Sequence, residues 1–198
     1  VEGRVYRDFL DAILQKMLGK ADLSDLDAGF LMQKDASSDA KDLYIIVSSN
    51  KGLCGSFNIN IFKTLLTKTD TKKSEYITIG KKAADFLVRA GATVTADFSQ
   101  SMPLVSNVSA VFSMAKKSFA SGNYKSVHLV YNRFISTIKH ETVITKLFPL
   151  SKEELVQENA TEKKSAQAEY AVEPSPKEVF ESLIIDYLEG KISQAILD

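Results

Sequence analysis

The segment from Asn50 to Asn58 has the sequence N-K-G-L-C-G-S-F-N and carries the residue types best suited to chemistry. It lies between an apolar run and a helical pattern, where a glycine-bearing loop binds phosphate in many α/β folds. A P-loop, however, places its lysine after the glycines, whereas Lys51 precedes them. A dinucleotide fingerprint needs G-x-G-x-x-G and an acidic residue after the second strand, where this chain has I-G-K-K. The spacing therefore fits neither phosphate-binding motif.

Two interpretations of this loop remain open. In the first, glycine allows a tight turn between strand and helix, and the structural motif consists of Gly52, Leu53, Cys54, Gly55 and Asn58. This interpretation predicts a positive φ or close packing at one of the two glycines, and a Cys54 side chain buried against the following helix. In the second, the chain is a small nucleotide-dependent α/β enzyme that uses Gly52 to Ser56, with the lysine pair of I-G-K-K as a phosphate contact.

A catalytic role for Cys54 would need a base, because the thiolate and not the thiol is the nucleophile. The chain has two histidines, His128 inside a predicted strand and His140 in a charged run, and nothing in the sequence places either beside Cys54. The acidic residues from Asp22 to Asp27 lack the spacing of a calcium-binding loop. The sequence therefore predicts no catalytic residue, no metal and no cofactor.

Composition excludes several other classes of function. Lys and Arg total 25, as do Asp and Glu, so no net charge favours nucleic acid or an acidic membrane surface. A single cysteine excludes an internal disulfide and multi-cysteine metal sites. No apolar run approaches the roughly 18 residues that a membrane span requires, and no signal peptide opens the sequence.

The elements around the loop alternate between strand and helix. Strand patterns cover 43–48, 75–79, 92–98, 127–131 and 142–148, and helical patterns cover 58–66, 81–90 and 103–120. Such alternation predicts a mainly parallel, Rossmann-like α/β sheet with flanking helices. Only ten residues separate the last two strands, and a parallel return needs about a dozen or more. We therefore expect the final strand to be antiparallel.

The two ends of the chain form a second predicted unit. Apolar residues at helical spacing occur in 1–18, from Val1 through Phe9 to Met17, and again in 176–198, from Val179 to Ile196. Each stripe needs a packing partner, because isolated helices of this length are marginal in water. We expect residues 1–18 and 176–198 to pair as an antiparallel coiled-coil stump on the α/β domain of residues 19–175.

Four sequence blocks resemble the gamma subunit of F-type ATP synthases, in the order found in that family. They are the G-L-C-G block from Ser49 to Asn58, Y-N-R-F-I-S-T from Tyr131 to Thr137, L-F-P-L from Leu147 to Leu150, and E-P-S-P from Glu173 to Pro176. The similarity is closer to bacterial than to mitochondrial members. The basic N-terminal helix and the long C-terminal segment of the family are missing, so the resemblance is to a portion without most of the coiled coil.

The resemblance implies a non-catalytic rotor-stalk subunit that couples rotation of the c ring to ATP synthesis or hydrolysis. The implied partners are the epsilon subunit, the c-subunit ring and, through the missing axle, the catalytic alpha and beta subunits. It also implies that Tyr170 and Glu173 lie at the membrane-facing end and contact epsilon and the c ring. The implied location is the cytoplasmic face of the bacterial inner membrane, as a peripheral subunit.

Overall fold

A computed structural model of the chain describes residues 36–150 and 176–198. The strands are β1 (Lys41–Val47), β2 (Ser74–Ile79), β3 (Thr93–Asp97), β4 (Tyr124–Ser136) and β5 (Lys139–Phe148). The helices are α1 (Phe57–Lys68), α2 (Lys81–Arg89), α3 (Val108–Ala120) and α4 (Pro176–Leu197), with a 3₁₀ turn at Leu104–Asn107. Every helix and strand predicted within these residues is present. The predicted helix 103–120 is divided between the 3₁₀ turn and α3.

The strands form one sheet in the order β3-β2-β1-β4-β5. The strands β1 to β4 all run in the same direction, and β5 runs antiparallel to its neighbour β4. This confirms the predicted sheet with an antiparallel final strand. The last two strands are longer than predicted. The strand β4 extends to Ser136 and β5 begins at Lys139, so only Thr137 and Ile138 separate them.

The longer strands extend β4 and β5 beyond the rest of the sheet. Pairing between β1 and β4 ends at Ile46 and Val130, whereas β4 continues to pair with β5 as far as Ser136 and Lys139. We call residues 131–142 the outer ribbon. Its polar residues interrupt the apolar pattern, which explains why the sequence predicted a loop there.

Two apolar cores cover the two faces of the sheet, so the continuous apolar run of β1 is explained by burial on both sides. Leu43 and Ile45 lie in the core shared with α3 and α4. Tyr44 and Ile46 lie in the core shared with α1 and α2. The alternation of side chains along a strand directs successive residues to opposite faces.

The C-terminal helix α4 packs on α3 and β4. Ile184, Leu188 and Ile192 are fully buried in the core on that face. Residues 1–18, the predicted partner of this helix, lie outside the described residues, so the pairing of the chain ends stays a prediction. No helix in the described ranges is long and apolar enough to cross a membrane.

Candidate functional site

The loop between β1 and α1, residues 48–56, lies at the edge of the sheet where the parallel strands end; we call it the glycine loop. Gly55 has a φ of 54°, in agreement with the positive φ expected at one of the glycines. Asn58, in the first turn of α1, accepts a hydrogen bond from Ser49 N (3.2 Å) and donates one to Ser49 Oγ (2.8 Å). The Ser49 hydroxyl donates in turn to the carbonyl of Lys51 (2.6 Å). These bonds tie the start of the loop to the helix that follows it.

The prediction that Cys54 is buried is wrong, because its side chain is exposed. The thiol lies 3.5 Å from the carbonyl oxygens of Lys51 and Gly52, within its own loop. Phe57, at the start of α1, instead occupies the inward position and packs against the core between the sheet and the two helices α1 and α2. Residues 51–56 are all exposed, so the loop lies on the surface, while the Cys54 carbonyl still accepts a hydrogen bond from Phe57 N at 3.1 Å.

A cleft of about 350 Å³ separates the glycine loop from the tip of the outer ribbon. It is lined by Ser49, Cys54, Gly55, Ser56, Phe57, Thr137, Ile138 and His140. The structure thus brings Cys54 and His140 to the same cleft, a proximity that no local pattern indicated. The described contacts of the thiol are nevertheless with carbonyl oxygens, and the His140 ring packs edge-on against Phe57 and Phe134. Cys54 and His140 do not form a hydrogen-bonded catalytic pair.

The outer ribbon borders the crevice where sheets of this type bind nucleotides. Ligands of open α/β sheets bind outside the carboxyl ends of the strands, at the point where the strand order reverses. In the order β3-β2-β1-β4-β5 that point lies between β1 and β4. Here β4 continues past β1, and Asn132 of the ribbon donates to the carbonyl of Phe57 at the start of α1 (2.7 Å). The chain's own ribbon is therefore bonded to the start of α1 beside this crevice.

The N-terminus of α2, where I-G-K-K suggested a phosphate contact, is capped by the chain itself. The backbone N–H groups of Lys81 and Ala83 donate to Asn50 Oδ1 (2.8 Å) and Ser48 Oγ (2.9 Å). Lys82 N donates to the carbonyl of Ser49 (3.1 Å). Because a helix binds an anion through its free N–H groups, these three bonds remove the groups that a phosphate would use.

A second polar cluster lies at the opposite edge, where the parallel strands begin. Ser126 Oγ donates to Asp42 Oδ1 and lies 2.8 Å from His128 Nε2. Because the single hydroxyl proton of Ser126 is directed at Asp42, the imidazole acts as the donor to Ser126 and does not remove its proton. The trio therefore lacks the arrangement of an activated serine nucleophile, in which the base accepts the hydroxyl proton.

Glu75, at the same edge, is fully paired. Lys41 Nζ donates to its carboxylate at 2.7 Å, and the Tyr124 hydroxyl donates to the other oxygen. The hydrogen bonds from Lys41 and Tyr124 lower the pKa of Glu75, which keeps it ionised. Burial, together with the hydrogen bond to Glu75, raises the pKa of Tyr124 to about 12. Neither group is poised as an acid or base near neutral pH.

His128 should make the stability of the chain depend on pH. Burial lowers its pKa, assisted by Lys146 and Lys125 and opposed by Asp42. As pH falls through the ordinary histidine pKa, the unfolded chain binds a proton before the folded chain does, so the free energy of unfolding decreases. It stops decreasing below the folded-state pKa, and one proton limits the slope to about 1.4 kcal/mol per pH unit.

The measurement is urea unfolding between pH 7.5 and 5.5 for wild type and His128→Phe. Phenylalanine keeps an aromatic ring against Tyr44, which stacks on His128 at a centroid distance of 5.0 Å, but cannot titrate. We expect the variant to show a flatter pH profile over this range. Equal slopes for the two proteins would contradict the assignment to His128.

The remaining predicted site residues, Tyr170 and Glu173, lie outside the described residues. Among residues 36–150 and 176–198, no cluster of three or more His, Cys, Asp or Glu side chains is placed to hold a metal ion.

Comparison with known proteins identifies the family. The family model described as ATP synthase matches residues 2–198. The chain belongs to the ATP synthase gamma-chain family. It is 33% identical over 177 residues to the ATP synthase gamma chain of Haemophilus ducreyi, covering 85% of this chain and 59% of that protein. It is 31% identical over 162 residues to that of Glaesserella parasuis, covering 78% of this chain and 55% of that protein. The chain thus spans between half and two thirds of the length of these gamma chains.

Solved structures of ATP synthases share the fold of this gamma-family chain. The central stalk and c ring of the Tetrahymena thermophila mitochondrial ATP synthase include a chain that matches with a TM-score of 0.58 at 21% identity. That match covers 92% of this chain and 77% of the other. A rotor chain of the Euglena gracilis mitochondrial enzyme matches with a TM-score of 0.55 at 15% identity, covering 98% and 80%.

Two of the four gamma-family sequence blocks meet at one place in the structure. The G-L-C-G block is the glycine loop and the first residues of α1, and Y-N-R-F-I-S-T is the outer half of β4 with its turn. The two blocks are the walls of the cleft and are joined by the bond from Asn132 to Phe57. Both blocks are recognisable in the sequence, but their contact is not, because they are far apart along the chain.

Proposed function

We propose that this chain acts as the central rotor-stalk subunit of a proton-translocating F-type ATP synthase, coupling rotation of the c ring to ATP synthesis or hydrolysis without an active site of its own. The observation that carries the proposal is the match of residues 2–198 to the ATP synthase family model. At the carboxyl edge of the sheet the chain's own Asn50, Ser48 and Ser49 cap the N-terminus of α2, which suits a scaffold and not a phosphate site. The alternative, a nucleotide-dependent enzyme that uses Gly52 to Ser56, is not favoured by this arrangement.

The partners of this function are the epsilon subunit, the c-subunit ring and the catalytic alpha and beta subunits. One structural relative belongs to a central stalk solved together with its c ring, which supports the c ring as a partner by analogy. We place Tyr170 and Glu173 at the contacts with epsilon and the c ring. Because the curated gamma chains named above are bacterial, we place the chain on the cytoplasmic face of a bacterial inner membrane, as a peripheral subunit.

The helix of residues 1–18 packs antiparallel to α4 in this proposal, as the stump of the coiled coil. The support comes from the surface of α4. Leu183, Ile185 and Ile196 are only partly buried and flank the stripe that packs on α3. An apolar stripe on the first helix can complete their burial, since a helix that is apolar over most of its circumference needs packing on more than one side.

The test is capture of purified epsilon subunit and c ring by the immobilised chain. We expect both to be retained by wild type, and Glu173→Lys to weaken capture at least about tenfold through loss of a charged contact. The control is Asp186→Lys, which reverses a charge on the exposed face of α4 and should leave capture unchanged. Phe9→Ala should weaken capture through loss of the helix pair.

Calorimetric titration with ATP and NADPH separates the two functions. The proposal predicts no saturable binding, whereas the enzyme alternative requires it. Saturable nucleotide binding that Gly52→Ala or Gly55→Ala abolishes, together with no capture of epsilon or c ring, would replace the rotor-stalk proposal with the enzyme.

A further inference from the structure

Asn132 is a buried polar residue that joins two segments distant in the sequence. It lies in the outer ribbon and is 1% exposed. Its Nδ2 donates to the Phe57 carbonyl at 2.7 Å, and its Oδ1 accepts from Thr142 Oγ1 at 2.5 Å. A carbonyl oxygen can only accept, so the bond to Phe57 fixes which end of the amide faces α1. The Thr142 hydroxyl therefore donates its hydrogen bond to the amide oxygen of Asn132.

The bond to Phe57 is an addition to the normal bonding of the helix. Phe57 is the first residue of α1, so its carbonyl already accepts an intrahelical bond from the next turn. A carbonyl oxygen has a second lone pair, and Asn132 uses it. The helix would form without Asn132, and the contact therefore joins the helix to the ribbon and is not required for either element to form.

An aromatic contact reinforces the same junction. The His140 ring packs edge-on against Phe57 at a centroid distance of 5.6 Å and against Phe134 at 5.5 Å. Phe57 belongs to α1, while the other two rings belong to the outer ribbon. Edge-to-face pairs at such distances are favourable, so a polar and an apolar contact both hold the ribbon to Phe57.

We propose that Asn132 joins the outer ribbon to the start of α1, to which the glycine loop is tied through Asn58, and so holds loop and ribbon as one rigid unit. The consequence is a fixed placement of two exposed apolar side chains, Leu53 on the loop and Ile138 at the ribbon tip. The inference concerns how this edge of the molecule is held and does not depend on which partner it meets. It goes beyond the proposed function, since a rotor subunit does not require these two segments to be coupled.

The test is hydrogen–deuterium exchange of the full chain, measured by mass spectrometry for wild type and Asn132→Ala. We expect exchange to become about tenfold faster or more in peptides covering both 50–60 and 132–142, because loss of the shared amide releases both segments. The control is Tyr76→Phe. Tyr76 is also buried, and its hydroxyl is hydrogen-bonded to Thr69 Oγ1 at 2.8 Å, just after the end of α1. Its loss should speed exchange near 66–76 and leave both test peptides unchanged.

Thr142→Val supplies a milder variant, because it removes the donor to Asn132 Oδ1 and leaves the amide free to turn away from the Phe57 carbonyl. It should speed exchange mainly in 132–142, with a smaller change in 50–60. If Asn132→Ala does not fold, this variant still tests the coupling, because some change in 50–60 remains required. The proposal is overturned if exchange in 50–60 equals that of wild type in whichever of these variants folds, or if Tyr76→Phe affects the same peptides. A negative result in the exchange experiment would not change the expected capture of epsilon and c ring, which tests the proposed function separately.

Discussion

Alanine at Gly80 should destabilise the chain by more than about 4 kcal/mol, a range reached only when the backbone itself must move. Gly80 has a φ of 104°, which side-chain-bearing residues rarely adopt. A Cβ there would lie 2.6 Å from the carbonyl carbon of Ser48 and closer still to its oxygen. Those atoms belong to the junction between β1 and the glycine loop, where Ser48 Oγ bonds both Gly80 O and Ala83 N. We expect Gly80→Ala to be unfolded or to lose most of its stability in urea titration.

The matched control is Gly91→Ala. Gly91 also has a positive φ, 72°, but no described atom lies within 4 Å of the position of its Cβ. Gly91→Ala should therefore decrease the free energy of unfolding through backbone strain alone, by about 1–2 kcal/mol. Similar losses for the two variants would show that contact with Ser48 is not the cause.

Removal of the Phe148 ring should decrease the free energy of unfolding by about 3–5 kcal/mol, as for other large-to-small core replacements. Phe148 is fully buried at the end of β5. Its ring stacks on Phe119 at 5.4 Å and lies 6.1 Å from Phe112, both on α3. The ring therefore joins the antiparallel strand to the helix across that face of the sheet, and Phe148→Ala would leave a cavity between them.

Phe134→Ala is the control for the Phe148→Ala variant. Phe134 is 42% exposed in the outer ribbon, so much of its ring is already in water and its replacement should cost less than about 1.5 kcal/mol. Chemical denaturation of the two variants gives the difference directly. A loss at Phe148 no larger than that at Phe134 would contradict the packing described for β5 and α3.

Much of the fold could be predicted from the sequence because burial on both faces leaves a strong local pattern. The apolar run of β1 and the alternation of strands with amphipathic helices are such patterns. The antiparallel β5 followed from the length of its connection. The outer ribbon could not be predicted, since both of its faces include polar or exposed residues such as Arg133 and Glu141, which form an ion pair with each other.

The site was less predictable, because its contacts join residues far apart in the chain. The turn at Gly55 follows from the local sequence, but the local sequence does not show that Phe57 packs against the core while Cys54 is exposed. Gly80 and Asn132 were missed for the same reason. Their partners, Ser48 and Phe57, are neighbours only after the sheet has formed.

Leu53, in the glycine loop, combines an unfavourable backbone conformation with an exposed apolar side chain. Leu53 has a φ of 64°, in the region suited to glycine or asparagine, and its side chain is fully exposed to water. Neither its conformation nor its environment favours leucine in the isolated chain. In the language of energy landscapes this is local frustration, and a sequence selected only for the stability of its own fold would remove it. Leu53 therefore adds backbone strain and exposed apolar surface to the folded chain.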